Sequence, residues 1–209
     1  LTPAGRNAIL PAASKGLGRA TAELFASQGA DIAICARGAE ELETARAALA
    51  AHSGKVIADT VDIADAGAYA NWVASAAEEL GGCDDFIAFP SAGGAQASEE
   101  AWESAFKLDL MGTWRGLTAA MPWLEKSDAA SIVVVGSILS IEPVFGPQPM
   151  AAMKAAVTHH ASALASQLAP KGIRVNTVSP GPIFIEGGAW DTIKQSRPEL
   201  YDATAAKIP

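Results

Sequence analysis

The sequence predicts a doubly wound α/β domain, a parallel sheet with helices on both faces, and three observations carry that prediction. Short, nearly continuous apolar runs alternate with longer Ala-rich stretches of helical period, as strands covered on both faces require. The alternation is sustained as a βαβ series, which closes into an open parallel sheet with right-handed crossovers. Gly29, Gly81 and Gly172 fall where helices should stop.

In chain order, the expected strands are residues 7–10, 31–36, 55–61, 85–89, 131–135 and 173–178. The expected helices are 18–28, 39–51, 66–80, 99–124 and 151–169. Ligands on such sheets bind at the carboxyl ends of the strands, so chemistry is sought there. The whole of 1–209 is expected to form one nucleotide-binding domain. Within it 182–209, rich in Pro and Gly and then polar, is either a substrate lid or a surface loop.

Composition narrows the partners. The 209 residues are half hydrophobic and only 18% charged, enough for a large core and against disorder. A formal net charge of −8 repels phosphate backbones and anionic lipid, so neither nucleic acid nor a membrane surface is an expected partner. No apolar stretch approaches the roughly 18 residues that span a bilayer. Two cysteines, Cys35 in an apolar run and Cys83, suit a reduced cytoplasmic protein rather than a disulfide scaffold. The adjacent His159 and His160 point apart on a helix and make no metal site, and no metal is expected.

Directly after the first strand comes Pro11-Ala12-Ala13-Ser14-Lys15-Gly16-Leu17-Gly18, running into a helix. Such a turn aims backbone N–H groups and a helix dipole at a pyrophosphate. Further landmarks follow the later strands: Asp62-Ile63, Ala92-Gly93, Ser137, Lys154 and Pro180-Gly181. Together they resemble the short-chain dehydrogenase/reductase family, whose glycine turn reads Thr-Gly-x-x-x-Gly-x-Gly, along essentially the whole chain. The resemblance implies a Rossmann-type fold, whose seventh strand is not in this chain. It also implies a nicotinamide cofactor held by Ala12, Ser14, Lys15, Gly16, Leu17, Gly18, Arg37, Asp62, Ile63, Ala92, Gly93, Lys154, Pro180, Gly181 and Ile183.

The residue after the second strand selects between cofactors in that family, and NAD-preferring members carry an acid there. Here Ala36 is followed by Arg37, with Ser14 and Lys15 opposite. Two cations and a hydroxyl suit a 2′-phosphate, which Arg grips bidentately, so NADP(H) is expected. The plain alternative is that Lys15 and Arg37 are solvated loop residues. Asp62 is expected to face the adenine amino group, as its counterpart in the family does.

The family's general acid or base is a Tyr four residues before the Lys, with a Ser thirteen residues before that Tyr. Ser137 and Lys154 match, but the Tyr position is Met150, whose thioether has no proton to give. Tyr69 and Tyr201 lie elsewhere in the sequence. The relay Asn of the family is Asp109, expected to pair with Lys154 or share a water with it and so to favour its ammonium form. Other landmarks also differ: Pro11-Ala12 at the head of the glycine turn, Pro90-Ser91 for Asn-Asn, and Ile185 for a Thr. A methyl at Ala12 disfavours any positive φ, and Pro11 deletes a donor.

Two functions follow. One is an NADP(H)-dependent oxidoreductase of a small-molecule carbonyl or secondary alcohol with a non-standard proton donor. The other is a catalytically impaired binding or subunit protein of the same fold. A dehalogenating lyase of this family keeps the Tyr and changes the Lys to Arg, the reverse of what stands here. A homodimer or homotetramer is expected through helices 99–124 and 151–169, the second rich in small Ala side chains.

Overall fold

The computed structural model describes residues 2–52, 54–94, 97–142 and 146–208. Two compact units divide the chain, Leu1–Ser179 and Pro180–Pro209.

The first unit holds a six-stranded sheet of order β3-β2-β1-β4-β5-β6, every pairing parallel. Its strands are β1 (Asn7–Pro11), β2 (Asp31–Ala36), β3 (Val56–Thr60), β4 (Asp85–Ala88), β5 (Ser131–Val135) and β6 (Arg174–Val178). All six expected strands exist within two residues at either end. Side chains alternate between two cores, as the two-residue strand period demands. Ala8, Leu10, Ile32 and Ile34 face α1 (Gly16–Ser27) and α2 (Ala39–Leu49). Ile9, Ala33, Cys35, Phe86, Ile132 and Val134 face α3 (Ala66–Leu80), α5 (Thr113–Leu124) and α6 (Pro149–Leu168).

Local chemistry sets the helix ends. Asp65 accepts from the N–H groups of Gly67 and Ala68 and starts α3, which Gly81 stops at φ +88°. Gly116 on α5 lets α3 approach, because a Cβ there would overlap the Tyr69 hydroxyl. Tyr69 is fully buried and lies 6.3 Å from the Trp72 ring, so it belongs to the core.

The expected helix 99–124 is helical throughout but changes winding. α4 (Glu99–Ala105), capped by Ser98, passes into a π-helical stretch, Phe106–Gly112, before α5 resumes. Asp109 sits within that stretch and is completely buried.

The second unit, read from sequence as lid or loop, contains α7 (Ala189–Ser196) and α8 (Pro198–Ala205). Tyr201 packs edge-on to Phe184 at 6.1 Å and tilts against Trp190 at 6.5 Å. Lys194 Nζ lies 5.1 Å from the Phe184 ring centre and 5.4 Å from that of Tyr201.

Candidate active site

The strand order reverses direction between β1 and β4, and that switch point is where a crevice opens in such sheets. The β1–β4 ladder pairs only Ala8 with Asp85 and Ile9 with Phe86. Ala12 N–H points the other way, donating to the Cys35 carbonyl at 3.0 Å. The donor that Pro11 lacks is therefore on the β4 side, and the β1–β4 ladder stops at Ile9 and Phe86 although β4 runs on to Ala88.

A cleft of about 320 Å³ lies along these strand ends. Its walls bring together Ala12, Ser14, Lys15, Arg37, Asp62 and Ile63 from the sequence expectation, and also Glu41. Lys15 and Arg37 are exposed while Ser14 is buried. Asp62 Oδ1 accepts from Ala64 N–H at 2.9 Å, which fixes its carboxylate at the rim. Gly16 adopts φ +58°, and a Cβ on Gly18 would come 2.8 Å from Ala13 Cα, so this glycine lets α1 start tight against the turn. α1 follows Lys15, which caps it with no side-chain bond, and has no acid in its first turn. Its free N–H groups and uncompensated dipole are the donor set a pyrophosphate needs.

Ala12 has φ +61°, the only non-glycine with positive φ among the described residues. The sequence argued that its methyl disfavours this conformation. The backbone adopts it nonetheless, so the turn holds strain at Ala12.

Beyond β4 the chain forms a buried polar knot. Asp109 is 0% exposed and Lys154, one turn below Met150 on α6, is 3% exposed. Lys154 Nζ donates to the Pro90 carbonyl at 2.8 Å and stands 3.4 Å from Asp109 Oδ1. Ala92 N–H donates to Asp109 Oδ2 at 2.9 Å, while Oδ1 has no hydrogen-bond partner. The expected proximity of Asp109 and Lys154 is thus present. Its expected effect is outweighed: burial lowers the Lys154 pKa, and the attraction of Asp109, which raises it, only opposes that shift.

The remaining positions are placed separately. Ser137 follows β5 and its Oγ accepts from Leu139 N–H at 3.2 Å, starting a short 3₁₀ turn. Met150 is half-buried in the first turn of α6. Ser91 Oγ accepts from Gly93 N–H at 3.2 Å, a local turn where the family has amides. Leu17 lies in α1, and Pro180, Gly181 and Ile183 open the second unit. Among the described residues no group of three metal-ligating side chains exists, and no helix is long and apolar enough to cross a membrane. Glu41 was missed from sequence; its position in the first turn of the helix after Arg37 was the available signal.

A parallel sheet of this order, with a glycine turn at the switch point, defines a doubly wound fold of the dinucleotide-binding class. Residues 12–209 match the family model described as "Enoyl-(Acyl carrier protein) reductase". The chain belongs to the short-chain dehydrogenase/reductase family of oxidoreductases. It is 36% identical to isoepoxydon dehydrogenase patN of Penicillium expansum, over 98% of this chain and 81% of that protein. Among solved structures it resembles a short-chain oxidoreductase of Pseudomonas aeruginosa PAO1 described as containing an atypical catalytic center. That match has TM-score 0.85 and 27% identity, covering 96% of this chain and 78% of the other. Carveol dehydrogenase of Mycobacterium avium in complex with NAD is similar too, with TM-score 0.85 and 25% identity over 94% and 78% of the two chains.

Proposed function

We propose that this protein is an NADP(H)-dependent oxidoreductase of a small carbonyl compound or secondary alcohol, acting without the family's Tyr. The observation that carries this reading is the cleft that gathers Ser14, Lys15 and Arg37 beside the uncapped start of α1. In it α1 and the glycine turn hold the pyrophosphate, Lys15 and Arg37 the 2′-phosphate, and Asp62 and Ile63 the adenine end. A nicotinamide dinucleotide held there would supply or accept the hydride. Ser137 polarises the carbonyl, and Ala92 and Gly93 line the path to it.

Lys154 is the proton source: Met150 has no proton, and burial makes the Lys154 ammonium a better acid than an ordinary lysine. Asp109 holds Lys154 in place and shares its charge. Without a phenol, turnover is lower than in a Tyr-bearing relative by about 10²–10⁴-fold. The test is titration with NADPH and NADH, then turnover of the native protein and Met150→Tyr on a carbonyl panel. NADPH binding in the micromolar range, and a gain of about 10²–10⁴ in kcat for Met150→Tyr, are expected. Absence of binding by either dinucleotide at millimolar concentration overturns the proposal.

The inward-turned Lys154, bonded to the Pro90 carbonyl, favours a second reading: a nucleotide-binding subunit with impaired turnover. Binding of NADPH with no turnover by either protein selects it. We further propose a cytoplasmic homodimer or homotetramer through 99–124 and 151–169. Exposed Trp102, Phe106 and Trp114, and an apolar hollow between Leu110, Trp114 and Val157, support that surface.

A further inference from the structure

The cleft carries a charge that opposes the cofactor it is proposed to hold. α2 starts at Gly38, one residue after Arg37, with no side-chain cap and with Glu40 and Glu41 in its first turn. The Glu41 side chain is folded back over that start: a Cβ on Gly38 would overlap its Oε2 and lie 3.2 Å from its carboxyl carbon. Glu41 also lines the cleft together with Lys15, Arg37 and Asp62. The two strand-end helices are therefore unlike. α1 presents bare N–H groups to an anion, whereas the start of α2 is already covered by a carboxylate.

A 2′-phosphate brings a charge of about −1.5 to −2 to the rim where Arg37 would grip it. Glu41, which lines the same cleft, repels that charge. A free ribose diol has the opposite relation to Glu41, because it donates two hydrogen bonds and a carboxylate only accepts. We propose that Glu41 is a specificity-determining residue, which weakens the 2′-phosphate contact of Arg37 and Lys15 and accepts the ribose hydroxyls of NAD(H). The cleft then takes both dinucleotides, with a modest preference for NADP(H). This inference rests on the placement of the adenosine ribose beside Arg37.

The experiment is calorimetric titration of the native protein, Glu41→Gln, Glu41→Lys and Arg37→Gln with NADPH and NADH. The fragments 2′,5′-ADP and 5′-AMP are titrated alongside, so that the readout is independent of turnover. Exposed charges interact weakly across water, so Glu41→Gln should tighten NADPH and 2′,5′-ADP by about 3–10-fold. It should weaken NADH by about 2–5-fold, and Glu41→Lys should exceed both effects. The tightening should shrink as salt is raised, since rim charges are screened. If both Glu41 variants move every ligand less than about 2-fold while Arg37→Gln weakens NADPH, the Glu41 inference is overturned and the Arg37 reading stands. If Arg37→Gln leaves NADPH and 2′,5′-ADP unchanged, the placement beside Arg37 fails and takes the Glu41 role with it.

Discussion

The two ends of β4 each carry a buried ion pair, and the pairs are built to opposite plans. At the amino end, Arg6 grips Asp85 with Nε at 2.6 Å and Nη2 at 2.9 Å, and Nη2 also reaches the carbonyls of Asp84 at 3.3 Å and Ala129 at 2.8 Å. The hydrogen bond to Asp85 is the main reason the Arg6 pKa is raised. At the carboxyl end, Lys154 and Asp109 stand 3.4 Å apart, each with one other bond, and Asp109 Oδ1 has none. Burial there lowers the Lys154 pKa. The first pair is a satisfied clamp holding β1, β4 and the approach to β5. The second leaves a carboxylate oxygen and an ammonium incompletely bonded at the end of the sheet where ligands bind. The amino-end pair is thus bonded throughout, while the carboxyl-end pair leaves Asp109 Oδ1 without a hydrogen bond.

The largest effect should come from breaking the clamp. Arg6 keeps its charge at any accessible pH, so Asp85→Ala strands it in a site where both side chains are about nine-tenths buried. A loss of about 3–5 kcal/mol in unfolding free energy is expected by urea denaturation. Asp109→Asn should cost only about 1–2 kcal/mol, because an amide still accepts from Ala92 N–H and Lys154 can shed its proton. Equal losses at the two ends would erase the distinction.

Sequence reading reached the carboxyl end and missed the amino end for a physical reason. Strand runs, helix stops and the glycine turn are local patterns, and they placed all six strands, whereas Arg37, Asp62 and Lys154 are singled out through the family resemblance. Lys15, Arg37 and Asp62 line the cleft, and Lys154 lies outside its lining. Arg6 and Asp85 are separated by 79 positions, and no periodicity announces that two such charges meet in the interior. The π-helical winding around Asp109 was hidden likewise: it accompanies a tertiary bond to Ala92 and the close approach of Gly112 to Ile63, where a Cβ would come 2.7 Å from Ile63 Cγ2. The α7–α8 pair was obscured by a Pro/Gly-rich start. Pro198, a helix-initiating Pro at the first position of α8, was its available signal.

Titration sharpens the contrast further. The Lys154 pKa is lowered from the ordinary 10.5, so below its native value both folded and unfolded states hold the proton and the cost of burying the ammonium is fully present. As pH rises from that native value towards 10.5, the folded state sheds its proton first, and the contribution of Lys154 to stability grows. The difference in unfolding free energy between the native protein and Lys154→Met should therefore rise with pH on the alkaline side. Asp109→Asn removes the attraction that opposes the shift, so the rise should begin at lower pH. The same measurement on Arg6→Met should give no such rise, since a guanidinium does not titrate there. A flat difference for Lys154→Met would mean that its ammonium is no costlier than that of an exposed lysine.

The smallest effect tests whether backbone strain follows the same division. Ala12, on the cleft side, holds φ +61°, a conformation that costs an L-residue about 1–2 kcal/mol and glycine almost nothing. Glycine also gains unfolded-state freedom, which returns about 0.4–1 kcal/mol of that relief. Ala12→Gly should therefore stabilise by about 0.5–1 kcal/mol net, and by opening the cleft it should tighten NADPH rather than weaken it. Ala130, buried just before β5 at the opposite edge, has no positive φ. There the same Ala→Gly change brings only the entropic cost and a lost methyl, so Ala130→Gly should destabilise by about 1 kcal/mol. Opposite signs for one substitution at the two edges, read from paired thermal melts, would place the strain at the cleft. A destabilised Ala12→Gly would show that the turn relaxes once the methyl is gone, and that its positive φ is not held by the surrounding fold.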